Sequence, residues 1–500
     1  MNEAKNNIAV TFIDEPQFTD AAKGVAKKEI VNQASAAPSL LQRLGDLMQA
    51  KRSAIQKIQW FVVLFYFTLL IWPAFLPLPK DYVHFYDNLI LLAQFIFWGI
   101  WWPFVMLSMV LIGRVWCGVF CPEGALSEWS SRRGLARLAP RWMRWGGWPF
   151  VAFVSTTVYG QLISVYEYPK AALLILGGST VAAMIVGFIY GRGKRVWCRH
   201  LCPANGVFSL LSRLAPVHFN VETAKWKTTQ RLNYAIDCPP ILNVRNKVGN
   251  SDCHMCGRCS GYRDAVKLDV RSPNQEVLSI NNKTQNPWDI ALLFFGLLGV
   301  ATGAFQWSAS PWFVQLKQSL AEWFINHDYY ALLDSNAPWW ILTHYPDTND
   351  VFSYLDGLSI LLYIFTTALA VSSLLLLGLW FASIVLKETK NISSVDLTNV
   401  KTALIWHLGY AFIPLAGASL FLGLSSLTFT MLKAEHLNII GIMPARIILL
   451  VLAYLWSGYL LSKKIIAFNV SPTRKILAFS ALFGASLLVA FSWVEMFFIW

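Results

Sequence analysis

The sequence predicts an all-α polytopic membrane protein of about nine transmembrane helices, with a small polar insert between the fourth and fifth. Hydrophobic residues make up 56% of its 500 positions and charged ones only 14%, where a soluble chain carries about 25% charge. Mean hydropathy is +0.46. Nine apolar runs come close to or pass the roughly 20 residues that cross a bilayer.

In chain order, residues 1–57 read as a polar cytoplasmic tail without the apolar core and cleavage site of a signal peptide. Within it, 38–58 can form an amphipathic helix on a membrane surface, or a short helix in a solvated tail. Residues 58–216 hold four apolar runs, near 60–78, 88–112, 147–167 and 171–190, which make two hairpins. The polar insert covers 217–287 and the fifth span 288–306. A loop rich in Trp and Tyr follows at 307–356, suited to the membrane interface. The C-terminal region 357–500 supplies four more runs, near 357–386, 403–424, 443–462 and 476–497.

Orientation follows from Lys and Arg. With the N-terminus inside, 36 of the 41 fall in cytoplasmic segments, leaving Lys80, Lys170, Lys317, Lys433 and Arg446 outside. That asymmetry obeys the positive-inside rule. It accounts for the net charge of +13 without nucleic acid as a partner. An odd helix count places the C-terminus in the periplasm.

All eight cysteines then lie in the cytoplasm, which keeps thiols reduced, so ligation or redox work outranks disulfides. Four form a duplicated motif. Arg114-Val115-Trp116-Cys117-x3-Cys121-Pro122 recurs as Arg195-Val196-Trp197-Cys198-x3-Cys202-Pro203, and both copies run on to Leu-Ala-Pro at 138–140 and 214–216. The spacing of four puts both sulfurs on one face if the segment is helical, and the proline suits the first turn of a following helix. Two copies, each after a hairpin, describe a parallel duplication whose motifs meet at the cytoplasmic surface. The quartet could hold a second cluster, copper or zinc, or act as redox dithiols.

The other four cysteines are more telling. Cys253-x2-Cys256-x2-Cys259 has the ferredoxin spacing, in which one tight loop offers three thiolates to a [4Fe–4S] cube and Gly257 permits the turn. The usual nearby fourth cysteine is missing, and Cys238-Pro239 is the natural substitute. A structural zinc site is the competing reading, disfavoured because zinc sites usually pair two CxxC knuckles. The insert is thus a small cytoplasmic ferredoxin-like unit that binds a cluster. His200 and His254 sit between cysteines, where they could donate to a cluster sulfur or point to solvent. His407 lacks a second histidine to share a haem, and Trp98, Trp101 and Trp102 could flank a quinone or simply pack. No phosphate loop, HExxH or GxSxG is present, so any chemistry belongs to cofactors.

The stretches 113–126 and 194–214 resemble the paired CxxxCP signatures of the NapH/NosR/CcoG family of membrane ferredoxins, and the likeness covers roughly 50–285. The resemblance implies iron–sulfur centres on a helical core in the bacterial inner membrane. Its members are tied to quinol oxidation, to reductase maturation and to copper reduction in oxidase assembly. The chain departs from each branch, with one ferredoxin-like ligand set, no outward flavin domain, and four extra helices in place of an immunoglobulin-like end. Electron transfer between the quinone pool or a cytoplasmic donor and a respiratory reductase, oxidase or cytochrome is the leading expectation. The alternatives are a copper reduction or maturation factor and a redox-sensing membrane regulator.

Overall fold

A computed structural model of the chain describes residues 39–79, 83–228, 236–280, 284–386, 404–437 and 439–500. Most of the expected tail therefore lies outside the described residues. Its visible end forms α1, Leu40–Ala50, capped by Ser39, whose hydroxyl accepts from Gln42 N. One face of α1 packs on the insert, where Ser260 Oγ donates to Asp46 at 2.8 Å, while Leu40, Leu44 and Leu47 face outward. It is a docked surface helix with an apolar side left open, as an interfacial helix requires.

Among the described residues, eight helices are long and apolar enough to cross a membrane. They are α2 Arg52–Phe75, α3 Leu89–Ile112, α6 Pro169–Ile189, α8 Pro287–Ala309, α10 Tyr354–Val385, α11 Leu404–Ala434, α12 Ile442–Ile466 and α13 Pro472–Ile499. Between these lie α4 (Pro122–Ser131), α5 (Trp148–Leu162), α7 (Asn205–Leu211) and α9 (Pro311–Asn326). The expected run at 147–167 is the difference. Its helix α5 has 15 residues, about 22 Å of rise, because the chain turns at Ser164 in a left-handed conformation (φ 49°) and Tyr168 N bonds back to Ser164 O. That turn docks on the loop before α10, with Ser164 Oγ 2.7 Å from Thr343 Oγ1.

Helices α8 and α11 form the centre, and the other spans surround them. Phe294 on α8 meets Phe412 on α11, while Val300 and Ala304 pack on Ile360, Ile364 and Ala368 of α10. Starts are marked by side-chain caps: Asn88 for α3, Asn286 for α8, and a Ser353–Asp356 capping box for α10. Four spans widen into π-helical turns, at Leu292–Val300 in α8, at Glu495–Ile499 in α13, and, as a pair, at Phe95–Trp101 in α3 and Leu173–Gly177 in α6. Such turns gather at functional sites, and those of α3 and α6 flank the same cavity.

The insert holds an antiparallel pair, β1 Val217–Val221 and β2 Val266–Val270, with Phe219 opposite Leu268. These join Val244, Met255, Tyr262 and Val266 in a small apolar core. It is more core than the segment's length suggests, and Cys253 is part of it.

Candidate functional site

Each copy of the duplicated motif breaks its helix at the second cysteine. In the first, a π-turn Trp116–Phe120 carries Cys117, and Cys121 is already extended; its sulfur accepts from Gly124 N at 3.4 Å as the cap of α4, with Pro122 as first helical residue. In the second, the single turn Val196–His200 carries Cys198, and Cys202-Pro203 form the link to α7. The expected shared helical face is therefore not how the sulfurs meet. Chain reversal brings them together instead: Cys121 lies within electrostatic reach of Cys198 and Cys117, and Cys202 within reach of Cys198, Cys121 and Cys117.

The second set gathers as the spacing implies. Cys238, Cys253, Cys256 and Cys259 all line one small cavity, together with Phe219, Leu242 and Val244. The loop closes through left-handed Met255 (φ 51°) and Gly257 (φ 75°), the latter conformation easy for glycine. All eight cysteines are free thiols. Burial pushes Cys198 and Cys238 up to about 12 and raises Cys121, Cys202, Cys256 and Cys259 as well.

The two sets abut at Gly118. A Cβ there would lie 2.1 Å from His254 O and 2.9 Å from the Cys256 Cα, so only glycine lets the loops approach this closely. Arg195, fully buried, ties the same contact. Its Nη1 donates to Cys117 O, its Nε to Glu128 Oε2 at 3.0 Å, and its backbone N to Pro239 O at 2.9 Å. Glu128 also takes Arg258 Nη2 at 2.7 Å, and Arg258 reaches Asp237 beside Cys238. Arg114 spans the other direction, donating to Ser251 O at 2.6 Å and Asn205 Oδ1 at 2.7 Å.

Polar atoms in this region fit an iron–sulfur group. Arg114 Nε, Arg195 Nη2 and His254 Nδ1 are buried without a hydrogen-bond partner. Arg114 feels Cys117 and Cys202, and Arg195 feels Cys198, Cys256 and Cys121. A cubane held by four thiolates is a net anion with sulfurs that accept hydrogen bonds, and such an anion would satisfy these donors. Among the described residues, no three His, Cys, Asp or Glu side chains converge tightly enough to enclose one metal ion. Thiolates around a single zinc stand about 2.3 Å from it, whereas a cubane holds them apart at its corners.

Of the histidines singled out from sequence, His254 is buried in the loop contact, with its pKa lowered by burial and by Arg114 and Arg195. Burial and Arg199 lower His200 to about 4. His407 faces the backbone instead, with Nδ1 3.1 Å from Ile280 O.

Beneath the first set lies an apolar cavity of about 210 Å³. Trp98, Trp101, Trp102, Tyr66 and Tyr166 furnish much of its wall, and Cys121, Cys202 and Glu123 border it toward the thiols. The three tryptophans marked from the sequence thus share one chamber. Trp102 Nε1 is buried there without a partner. Burial raises Glu123, offset by hydrogen bonds from Ser179 and from Trp197 Nε1 at 3.2 Å. Arg195, Glu128, Arg258 and Asp237 were not singled out from the sequence as site residues; for Arg195 a signal existed, since an arginine stands three residues before the first cysteine of both copies.

Comparison with known proteins bears on the first set. A family described as a 4Fe-4S binding domain matches residues 94–145 and 174–222, which contain both CxxxCP motifs. The match stops short of Cys238 and the CxxCxxC loop. The ferredoxin-type protein NapH of Haemophilus influenzae is 25% identical over 177 residues, covering 31% of this chain and 61% of that protein. The chain therefore matches less than two thirds of that relative's length. No solved structure matches. An iron–sulfur cluster, electron transfer and a multi-pass membrane setting are supported together. By its paired motifs, the family match and the relative, the chain is similar to NapH-like membrane iron–sulfur proteins.

Proposed function

We propose that this protein is a membrane electron carrier with two [4Fe–4S] centres, exchanging electrons between a quinol in the aromatic cavity and a respiratory or assembly partner. Cys117, Cys121, Cys198 and Cys202 would hold one centre, and Cys238, Cys253, Cys256 and Cys259 the other. The observation that carries this reading is the contact at Gly118 between two thiol quartets, one of which borders the cavity. A bound cubane supplies one-electron storage and transfer. The chain supplies everything around it. Arg114 and Arg195 offset negative charge, the buried loops exclude water, and Trp102 Nε1 offers a donor to a quinone carbonyl in a largely apolar chamber. We further propose that α5 with its following turn acts as a ninth crossing, putting the thiol face in the cytoplasm and residue 500 in the periplasm.

Anaerobically purified protein tests this. It should be brown and hold about eight iron and eight sulfide per chain, four for each cube. Cys198→Ser with Cys202→Ser should remove about half of the iron and leave the rest. Zinc or copper without sulfide would sink the proposal. A short-chain benzoquinol should reduce the centres, read by electron paramagnetic resonance.

A further inference from the structure

The aromatic cavity has a neighbour on the side away from the thiols. This second cavity, of about 390 Å³, is lined by Gln161, Ser164, Glu167, Asp350, Ser426 and Thr430 among others. The two chambers share Trp98, Tyr166, Phe305 and Leu424 as a common wall. Their chemistry differs in balance: the inner wall is mostly aromatic and aliphatic, its one carboxyl, Glu123, lying toward the thiols, whereas the outer one carries hydroxyls, an amide and the two carboxyls of Glu167 and Asp350.

Of the four shared residues, Tyr166 alone carries a hydroxyl, a group able to accept and donate a proton in turn. Its ring is held by an edge-to-face contact with Trp98 at 4.6 Å. Glu167 follows it in the chain and is exposed on the face opposite the thiols. Partial desolvation and the neighbouring Asp350 push the Glu167 carboxyl above its usual range. Asp350 is fixed by Tyr168, whose hydroxyl donates to it at 2.7 Å. A hydroxyl on the shared wall and two carboxyls in the outer cavity, one of them exposed, thus stand in order between the inner chamber and water.

We propose that the outer cavity is a proton exit, through which Tyr166, Glu167 and Asp350 carry the protons of a bound quinol to the face opposite the thiols. The proposal rests on the quinol reading above. A quinol becomes a quinone by breaking both O–H bonds; both protons leave by this route, and both electrons go, one at a time, to the iron–sulfur centres on the thiol side. Charge is thus separated across the membrane by the oxidation itself.

The full chain in phosphatidylethanolamine–phosphatidylglycerol vesicles, selected for thiol face outward, tests it. Ferricyanide outside takes the electrons, pyranine inside reports pH, and a short-chain benzoquinol is the donor. The expected result is acidification of the lumen by both protons of each quinol oxidised. Tyr166→Phe, which preserves the ring, and Glu167→Gln with Asp350→Asn should each slow lumen acidification about a hundredfold, the scale of a lost proton-transfer group, at unchanged iron content. Centres reduced by quinol with protons appearing outside would overturn this proposal alone, as would unaltered acidification in both variants. Centres that quinol fails to reduce would remove the quinol reading, and this proposal with it.

Discussion

Glu128→Gln should loosen both thiol quartets in one step. The carboxylate is 4% exposed and meets Arg195, 0% exposed, at 3.0 Å and Arg258, 9% exposed, at 2.7 Å. Its third partner, Arg132, is 43% exposed, and such a pair adds little. Burial alone would raise Glu128, but Arg195 and Arg258 outweigh it and hold the carboxyl ionised. Removing the charge leaves buried Arg195 without its carboxylate and Arg258 with half-exposed Asp237 alone, a change that costs about 3–5 kcal/mol when one partner of a buried pair is lost. Glutamine keeps one acceptor oxygen, so the lower end applies, about 3 kcal/mol. Because Arg195 binds Cys117 O and Arg258 lies between Cys256 and Cys259, both quartets should lose order together. Bound cubanes are anions and would themselves offset the arginines, so the loss should be larger for the iron-free protein than for the loaded one. Thermal unfolding of both forms, with iron counted per chain, measures this. Glu222→Gln is the control: its partners Lys225 and Lys267 are partly exposed, and about 0.5 kcal/mol or less is at stake. If the Glu128 and Glu222 variants behaved alike, the argument for a buried electrostatic clamp would be refuted.

Other consequences follow from single contacts. Gly118→Ala inserts a carbon 2.1 Å from His254 O, so the loops must part; if each quartet holds a centre as proposed, magnetic coupling between the two reduced centres should weaken while each quartet keeps its iron. Trp102→Phe removes the unpartnered indole donor but keeps a ring in the wall; affinity for a benzoquinone, followed by titration, should fall by one hydrogen bond, about 0.5–1.5 kcal/mol or roughly three- to tenfold. His218 on β1 is lowered to about 4 by burial, with Arg271 and Lys247 adding to it. A neutral histidine with a depressed folded pKa stabilises fully above its unfolded value near 6.5 and loses that contribution as pH falls toward 4. Protection factors against hydrogen exchange in β1 and β2, which divide out the intrinsic pH dependence of exchange, should therefore fall between pH 6.5 and 4, and His218→Gln should flatten that trend.

Legibility divided along physical lines. Apolar length is a local property, so eight of the nine runs found in the sequence reappear as helices long enough to span. The exception, α5, is shortened by a turn at Ser164 that depends on docking to Thr343, 179 positions away. Thiol grouping was legible because ligand spacing and duplication are written into consecutive residues. How the CxxxC sulfurs meet was not, since Cys121 leaves the helix to cap α4 and its partners arrive from the second copy. Glu128 and Asp237 stand at unremarkable positions in polar stretches; their roles arise from three-dimensional convergence of Arg52, Arg195 and Arg258. The chamber is similarly invisible in one dimension, because α2, α3, α5, α6, α8 and α11 each lend it only a few residues.

The duplication explains why two alike loops can make an unlike pair of sites. Arg114 and Arg195 hold the same place before their cysteines, yet each reaches out of its own copy. Arg114 crosses to Asn205, just past the second motif, and to Ser251 in the insert. Arg195 crosses to Cys117 in the first motif and, by its backbone, to Pro239. Each arginine therefore staples the other copy's loop and the insert in the same reach. A symmetric pair of hairpins alone would leave the membrane quartet open to water on its thiol face. The insert closes that face, and the position it seals is Gly118, where the second quartet comes to rest. On its other side the first quartet borders the apolar chamber through Cys121 and Cys202. On the proposed reading, an electron from a lipid-soluble donor would enter the first quartet from the chamber and leave toward water through the insert.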